Sequence, residues 1–232
     1  MIRHRPAAAR GTFDHGWLHT AHTFSFANYR DPAHMGFRSL RVVNEDHIQQ
    51  GQGFGMHPHR DMEIMTWVLS GALAHEDSMG NGTTIRPGEV QIMSAGTGIL
   101  HSEHNAHNGP THLLQIWLLP DRRGLPPRYA QRALAPAELQ NRLLPIAAPP
   151  GQEAAVVVHQ DALVLATELD PGHAVEHRLK RGRGAWVQVA RGSVRLGDLA
   201  LQQGDGAALE GEDAVRLRAG AEAAQVLVFD LG

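Results

Sequence analysis

Short apolar and alternating runs dominate the chain, and turn-forming pairs such as Ser70-Gly71 and Arg191-Gly192 separate them. Alternation with a period of two, bounded by glycine and proline, is typical of β-strands rather than helices. The runs that we interpret as strands span residues 39–43, 63–69, 90–93, 112–119, 154–158, 185–189 and 225–229. Closely spaced strands with such turns predict an all-β fold built from sandwiches or barrels.

A proline-rich segment divides the chain into two halves. Seven of the 13 prolines lie between Pro120 and Pro150, and because proline cannot donate to a strand ladder, we expect a connection there rather than a strand. Residues 136–144 could form one short helix with proline in its first turn. The stretch beginning at Trp67 resembles the one beginning at Trp186, which suggests two barrels of related plan. The predicted parts are an N-terminal barrel at 1–120, a connection at 121–152 and a C-terminal barrel at 153–232.

Composition excludes several classes of protein. At 232 residues the chain is long enough for one large domain or two small ones. Its 21 Lys and Arg residues stand against 24 Asp and Glu residues, a net charge of −3, so we expect no direct binding to nucleic acid. The absence of cysteine excludes thiolate zinc sites, iron–sulfur clusters and cysteine nucleophiles. Without a long apolar run, we expect a cytoplasmic protein that does not enter membranes.

Histidine provides the candidate chemistry, because 13 of the 16 histidines fall at or before His112. In an extended segment His57 and His59 point to the same side, about 7 Å apart at the backbone, so both rings can reach one ion. About one such pair is expected by chance in a chain of this composition. The second pair, His101 and Glu103, has the same spacing and therefore makes a metal site a stronger hypothesis.

Two such pairs on adjacent strands would give a shell of three imidazoles and one carboxylate, with two exchangeable positions on an octahedral ion. Spacing alone leaves the carboxylate open between Glu63 and Glu103. Divalent iron suits this shell, although manganese, cobalt, nickel, copper or zinc could occupy it too. Such a site has a net charge near +1 and favours an anionic ligand, such as an enol or catechol. Open positions on a metal indicate small-molecule chemistry.

Two motifs at these residues resemble those of the cupin superfamily, and more closely those of the pirin family of two-domain cupins. The first motif comprises Gly51, His57, His59, Glu63 and Gly71, and the second comprises Gly88, Gly96, His101 and Asn105. The stretches that resemble pirins include His57-Pro58-His59-Arg60-Asp61-Met62-Glu63, Met93-Ser94-Ala95-Gly96-Thr97-Gly98-Ile99 and Trp186-Val187-Gln188-Val189. The resemblance covers nearly the whole chain and implies an all-β bicupin of two jelly-roll barrels.

The resemblance also implies where a metal would lie. Pirins place it at the positions occupied here by His57, His59, His101 and Glu103, and the position of Glu63 is not a ligand. Aligning the two halves puts residues without ligand atoms opposite the second motif, so we expect a degenerate C-terminal barrel with no metal. The residues opposite His101 and Glu103 in that alignment are Leu217 and Ala219.

Bacterial pirins are associated with the dioxygenation of flavonols such as quercetin, in which ring opening releases carbon monoxide. By that resemblance the partners are a flavonol or a smaller aromatic enol together with O₂, and Glu103 is the candidate base for the hydroxyl proton. Animal pirins are described as iron-dependent transcriptional cofactors, so the alternative is a metal- or redox-responsive regulator that binds a protein partner. A third alternative is a metal-tuned scaffold that binds a bacterial metabolic enzyme.

Other side chains near these motifs have two interpretations each. Gln115 and Trp117, two residues apart in a run that should border the site, either orient a ligand or only line the barrel. His75 and the other scattered histidines either support the metal ligands or relay protons near the site, or they pack or face solvent, which is the ordinary interpretation. The candidates for narrowing the pocket are Met56, Met93 and the segment 22–29.

Overall fold

Antiparallel strands form most of the chain in the computed structural model, which describes residues 1–232. The all-β prediction is confirmed, and six of the seven predicted runs coincide with strands of six residues or more. The run at 154–158 is shorter than predicted, because turns precede it and only Val156–Val157 forms a strand.

The first part of the chain contains a short 3₁₀ helix at Ala7–Ala9 and twelve strands. These strands are β1 (Ile2–Arg5), β2 (Gly11–Asp14), β3 (Leu18–His22), β4 (Leu40–Ile48), β5 (Gly53–His59), β6 (Glu63–Ser70), β7 (Leu73–Asp77), β8 (Gly82–Ile85), β9 (Glu89–Ser94), β10 (Ile99–Asn105), β11 (Thr111–Leu118) and β12 (Arg128–Ala133). The remainder contains α1 (Pro136–Leu139), β13 (Leu144–Ala148), β14 (Val156–Val157), β15 (Ala162–Leu169), β16 (Ala174–Arg178), β17 (Gly184–Arg191), β18 (Ser193–Leu196), β19 (Leu199–Gln202), β20 (Gly206–Glu210), β21 (Ala214–Ala219) and β22 (Ala224–Leu231).

The chain forms two compact units, which we name by their histidine content. The His-rich unit comprises Gly11–Ala133 and Val156–Gln160, and the His-poor unit comprises Met1–Arg10, Leu134–Ala155 and Asp161–Gly232. These bounds differ from the predicted parts at 1–120, 121–152 and 153–232. The first ten residues belong to the His-poor unit because β1 pairs antiparallel with β20.

The His-rich unit is built from a large sheet of seven strands and a small sheet of four. The large sheet has the order β12-β9-β6-β11-β4-β3-β2, and the small sheet has the order β5-β10-β7-β8. Apolar side chains of both sheets meet in one cluster, formed by Leu18, Ile48, Val68 and Leu113 of the large sheet and Leu73 and Ile85 of the small sheet. Each such buried side chain contributes about 1.5 to 3 kcal/mol, which holds the sheets face to face.

The His-poor unit repeats this plan with an apolar interior. One of its sheets contains the order β1-β20-β17-β22-β15-β13, and the other has the order β16-β21-β18-β19. Both sheets contribute to a single core of aliphatic side chains, among them Val187, Leu209 and Val226. Leu217 and Ala219, which the alignment of the halves places opposite His101 and Glu103, belong to that core.

The prediction that the proline-rich segment holds no ladder strand is wrong. β12 pairs with β9 along its length, beginning with Arg128 opposite Ser94. It fits between Pro127 and Pro136 and lies at the edge of its sheet, where only one side of the strand needs backbone partners. β13 includes Pro145 and tolerates it through a register shift between that proline and the following residues.

The helix predicted at 136–144 is a single turn. α1 begins with Pro136 in its first turn, as predicted, and the side chain of Glu138 accepts a hydrogen bond from the backbone N–H of Ala135 at 2.7 Å. It ends early because Asn141 adopts a positive φ of 56° and β13 starts at Leu144. No helix of the structure has the length and apolar character needed to span a membrane.

Candidate metal centre

His57 and His59 project from the same face of β5, the edge strand of the small sheet, with their ring centroids 4.8 Å apart. The spacing of two residues on an extended strand places both rings on one side. Nδ1 of His57 lies 2.7 Å from the carbonyl oxygen of Gly55, and because a carbonyl can only accept, this nitrogen carries the proton. Nε2 of His57 therefore keeps a lone pair for a metal.

His101 comes from the neighbouring strand, β10, directly opposite His57. Its ring centroid lies 4.3 Å from that of His57 and 4.9 Å from that of His59, and one nitrogen of each ring falls within 4.8 Å of the others. Further along the same two strands Gly53 lies opposite His104, and a β-carbon there would overlap the carbonyl oxygen of Glu103, so glycine allows β5 and β10 to pair at that point. The structure therefore brings three of the four predicted ligands together.

The three rings have the chemistry that a divalent ion requires. Burial lowers the pKa of His59 to about 4, and burial with the neighbouring histidines lowers that of His101 to about 3, so both are neutral at physiological pH. Both ring nitrogens of His101 are buried without a hydrogen-bond partner in the protein, which costs about 1 to 3 kcal/mol for each. A metal ion removes part of that cost. These residues fit a single divalent ion.

Glu103 is buried two residues after His101 on β10. Nε2 of Gln115 donates to both carboxylate oxygens, at 3.2 and 3.0 Å, and the Thr66 hydroxyl lies 3.4 Å from Oε1 of Gln115, which orients the amide. Burial raises the pKa of Glu103 to about 7, although the hydrogen bond from Gln115 opposes this rise. A carboxyl group with such a pKa can take up and release a proton near neutral pH.

A carboxylate oxygen of Glu103 lies within 4.8 Å of one ring nitrogen of His101 and one of His75, which makes these three a second group of possible ligands. Glu63, the other carboxylate that spacing allows, is engaged elsewhere. Its carboxylate accepts hydrogen bonds from the Ser94 hydroxyl at 2.9 Å and from the backbone N–H of His159 at 3.1 Å. Of the two carboxylates, only Glu103 lies beside the histidine cluster, and its role as a ligand stays a prediction.

The histidines open into a cavity of about 410 Å³, within the range of roughly 300 to 1,000 Å³ typical of small-molecule sites. The Trp117 ring forms an apolar wall, with its centroid 4.9 Å from that of His59 and 5.2 Å from that of Phe26. Both contacts are edge-to-face. A flat aromatic ligand would meet aromatic surface on this side.

Of the groups predicted to narrow the pocket, only segment 22–29 lines the cavity, and Met56 and Met93 do not. Segment 22–29 contributes His22, Phe26 and Ala27 to the lining. Met56 is 58% exposed and Met93 packs in the core of the unit, and neither side chain lines the cavity.

The part of the cavity wall that β4 forms is polar, and sequence reasoning missed it. Asn44 and Asp46 face the cavity from β4, and Gln115 lies opposite Asn44 on β11. Burial raises the pKa of Asp46 to about 6. The predicted strand at 39–43 stopped just before these residues, because β4 becomes polar on both faces there.

His75 is a second residue whose place in the site sequence analysis missed. It is fully buried on β7, its ring centroid lies 5.3 Å from that of His101, and its Nε2 donates to Asp77 at 3.2 Å. Asp77 in turn accepts hydrogen bonds from the backbone and side chain of Asn81. His75 therefore packs against His101, a predicted metal ligand, instead of facing solvent.

A second group of potential ligands, Glu45, His47 and His112, projects from the opposite side of the large sheet. His112 Nε2 lies 2.8 Å from Glu45, and the rings of His47 and His112 stack at 3.9 Å with an interplanar angle of 19°. Imidazole lone pairs lie in the ring plane, so nearly parallel rings do not aim them at one ion. We interpret this group as a packed hydrogen-bonded pair and a stacked neighbour.

Two β-sheet units, one with a triad of converging histidines, define a two-domain cupin. The family model for pirin matches residues 3–118, and a model described as the quercetinase C-terminal cupin domain matches residues 145–231. The chain therefore belongs to the pirin family, and the bicupin prediction is confirmed.

Relatives match the whole chain. A protein of Escherichia coli (strain K12) named quercetin 2,3-dioxygenase is 44% identical over 232 residues, which cover 100% of this chain and 99% of the relative. A pirin-like protein of Caulobacter vibrioides is 37% identical over 98% of this chain and 99% of the relative. The crystal structure of the bacterial pirin YhhW from Escherichia coli in complex with nickel(II) has a TM-score of 0.94 at 44% identity, covering 100% of this chain and 99% of that chain.

Proposed function

We propose that this protein is a metal-dependent dioxygenase that opens flavonols such as quercetin and releases carbon monoxide. The observation that carries the proposal is the convergence of three histidines, with unpartnered nitrogens on His101, at the wall of a cavity of about 410 Å³. The full-length relative named quercetin 2,3-dioxygenase, an oxidoreductase, supports the choice of substrate and reaction.

Under this proposal one divalent ion, with iron(II) the first choice, is held by His57, His59, His101 and Glu103. The nickel complex of the relative YhhW makes nickel a candidate here, beside manganese, cobalt, copper and zinc. When bound, the ion would supply positive charge to a deprotonated enol oxygen and open positions for O₂.

Side chains of the protein itself transfer the proton and position the substrate. An ionised Glu103 accepts the proton of the flavonol hydroxyl on one carboxylate oxygen and releases it later. Gln115 holds the carboxylate in place through its hydrogen bonds to both oxygens. Trp117 and Phe26 provide an apolar face that positions the planar ring and excludes water.

The test measures turnover by protein loaded with each divalent metal, beginning with iron(II). We expect quercetin absorbance to fall under O₂, with carbon monoxide formed in step with substrate lost, and neither change without oxygen. Glu103→Ala should abolish both, whereas Glu63→Gln, a change at the other buried carboxylate, should retain them.

The alternative function, a metal- or redox-responsive protein-binding regulator, needs the same metal ligands and is an outcome of this test. It replaces the enzyme proposal if every divalent metal leaves the flavonol absorbance unchanged while a protein partner is recovered only in one metal state.

A further inference from the structure

Two buried oxygen atoms in the cavity wall make no close hydrogen bond in the protein, and only the Thr20 side chain interacts with the carboxyl group of one of them, Asp46. Asn44 and Asp46 are 4% and 3% exposed, and Oδ1 of each accepts no hydrogen bond. Both side chains line the cavity. A buried acceptor left unsatisfied is costly, so such atoms are kept where something other than the protein donates to them.

These two residues interrupt an otherwise apolar strand face. The face of β4 that carries them also carries Val42 and Ile48, both almost fully buried. The polar positions are thus confined to the part of the strand that borders the cavity. On the neighbouring strand β3, Thr20 lies opposite Asp46, and Thr20 also lines the cavity.

The place of the two oxygens relative to the metal centre is fixed by strand pairing. Asn44 lies opposite Gln115, and Gln115 donates to Glu103, so the pair on β4 lies on the sheet wall next to the predicted metal ligands. A ligand anchored at the histidines by one end can therefore reach Asn44 and Asp46 with another part of its ring system.

The polar groups of this wall favour ligands that carry hydrogen-bond donors. Oδ1 of an amide and a carboxylate oxygen both accept hydrogen bonds, and no lysine or arginine lines the cavity. Phenolic hydroxyls satisfy both oxygens, whereas unsubstituted or methoxylated rings leave them unpaired. Sulfated or carboxylated rings would in addition place a negative charge beside Asp46 without a compensating cation.

We propose that Asn44 and Asp46 form a hydroxyl-recognition subsite, so that the preferred substrate is a flavonol with hydroxyl groups in addition to the one at the metal. This proposal rests on the proposed function for the class of ligand. It makes the two residues determinants of specificity rather than of the chemical step.

The test compares quercetin with 3-hydroxyflavone, which keeps the 3-hydroxyl but lacks the hydroxyls on the other rings. Binding to the metal-loaded full chain is measured by tryptophan fluorescence without O₂, so that turnover is not required. We expect wild-type protein to bind quercetin at least about tenfold more tightly, the effect of one hydrogen bond to a charged acceptor. Asp46→Leu and Asn44→Leu should reduce that preference, and Asp46→Asn, which keeps an acceptor, should restore part of it.

Stability separates a recognition role from a structural one. Because leucine removes an unsatisfied acceptor, neither leucine variant should lower the Tm. Gln91→Leu is the matched control: Gln91 is buried with an unpartnered Oε1 on β9 but does not line the cavity, so its variant should keep the preference for quercetin.

Equal affinity of wild-type protein for the two flavonols, or binding of neither, would overturn the subsite. A preference that survives Asp46→Leu and Asn44→Leu would do the same. A preference lost in these variants, in a protein that never bleaches quercetin, would support the subsite while the proposed catalysis fails.

Discussion

Replacing Gln115 with leucine removes the hydrogen bonds that hold Glu103 while nearly preserving side-chain volume. Gln115 is 8% exposed, so water cannot readily take the place of its amide. Its orientation is set by Thr66, which lies 3.4 Å from Oε1 and directs Nε2 towards the carboxylate. The variant therefore leaves Glu103 buried without its main donor, with only the Thr66 side chain still interacting with it.

The expected loss follows from this geometry. The contacts of 3.2 and 3.0 Å come from a single nitrogen, so we count them as one bifurcated hydrogen bond to a charged acceptor, worth about 1.5 to 3 kcal/mol. If Glu103 is a ligand, that energy is lost from the metal-bound state. Metal affinity should then fall by about 10- to 100-fold, the effect seen when groups that orient metal ligands are removed.

The assay is competition for zinc or nickel between the protein and a chromophoric chelator near neutral pH. Gln91→Leu, at a buried glutamine outside the cavity, serves as the control and should leave the affinity unchanged. An unchanged affinity in Gln115→Leu would show that Glu103 contributes nothing to metal binding and would refute this reasoning.

Three further predictions concern metal content and stability. Elemental analysis should find no stoichiometric metal in His101→Ala and one metal per chain in Glu63→Gln. Loss of the metal in Glu63→Gln would assign the carboxylate ligand to Glu63. Because burial lowers the pKa of His59 to about 4, the unfolded chain binds more protons at this residue below about pH 6.5, so metal-free wild-type protein should lose stability relative to a His59→Gln variant between that pH and about 4. Urea unfolding of both proteins at a series of pH values checks this, and a difference that does not change with pH would contradict it. Asp230 forms an ion pair with the largely buried Arg183. Asp230→Ala removes this partner and should lower the free energy of unfolding by about 3 kcal/mol in denaturant titrations. A loss under about 1 kcal/mol would show that the ion pair contributes little to stability.

The histidine positions could be predicted because the information is local. On any extended strand, residues two apart share a face, so His57 with His59 and His101 with Glu103 had to point together whatever the rest of the chain did. The same rule located most strands, since alternation records which face of each strand is buried.

The polar wall could not be predicted in this way. β4 continues through Asn44, Glu45, Asp46 and His47, and four consecutive polar residues contain no alternation to read. Asn44 and Asp46 have a different role from Glu45 and His47 because the two pairs lie on opposite faces of β4, and the strand is buried on both faces. The proximity of Asn44 to Gln115 depends on the register between β4 and β11, which are separated by more than sixty residues along the chain.

The pairing of β1 with β20 has a consequence for synthesis of the protein. Ile2 has no strand partner until Leu209 has been synthesised. At a synthesis rate of about 5 to 20 residues per second, that delay is roughly 10 to 40 s. The strands of the His-rich unit are complete much earlier, when residue 133 has been made, and only Val156–Gln160 follows. A nascent chain can therefore assemble β5 and β10 on the ribosome while β1 stays unpaired until Leu209 emerges.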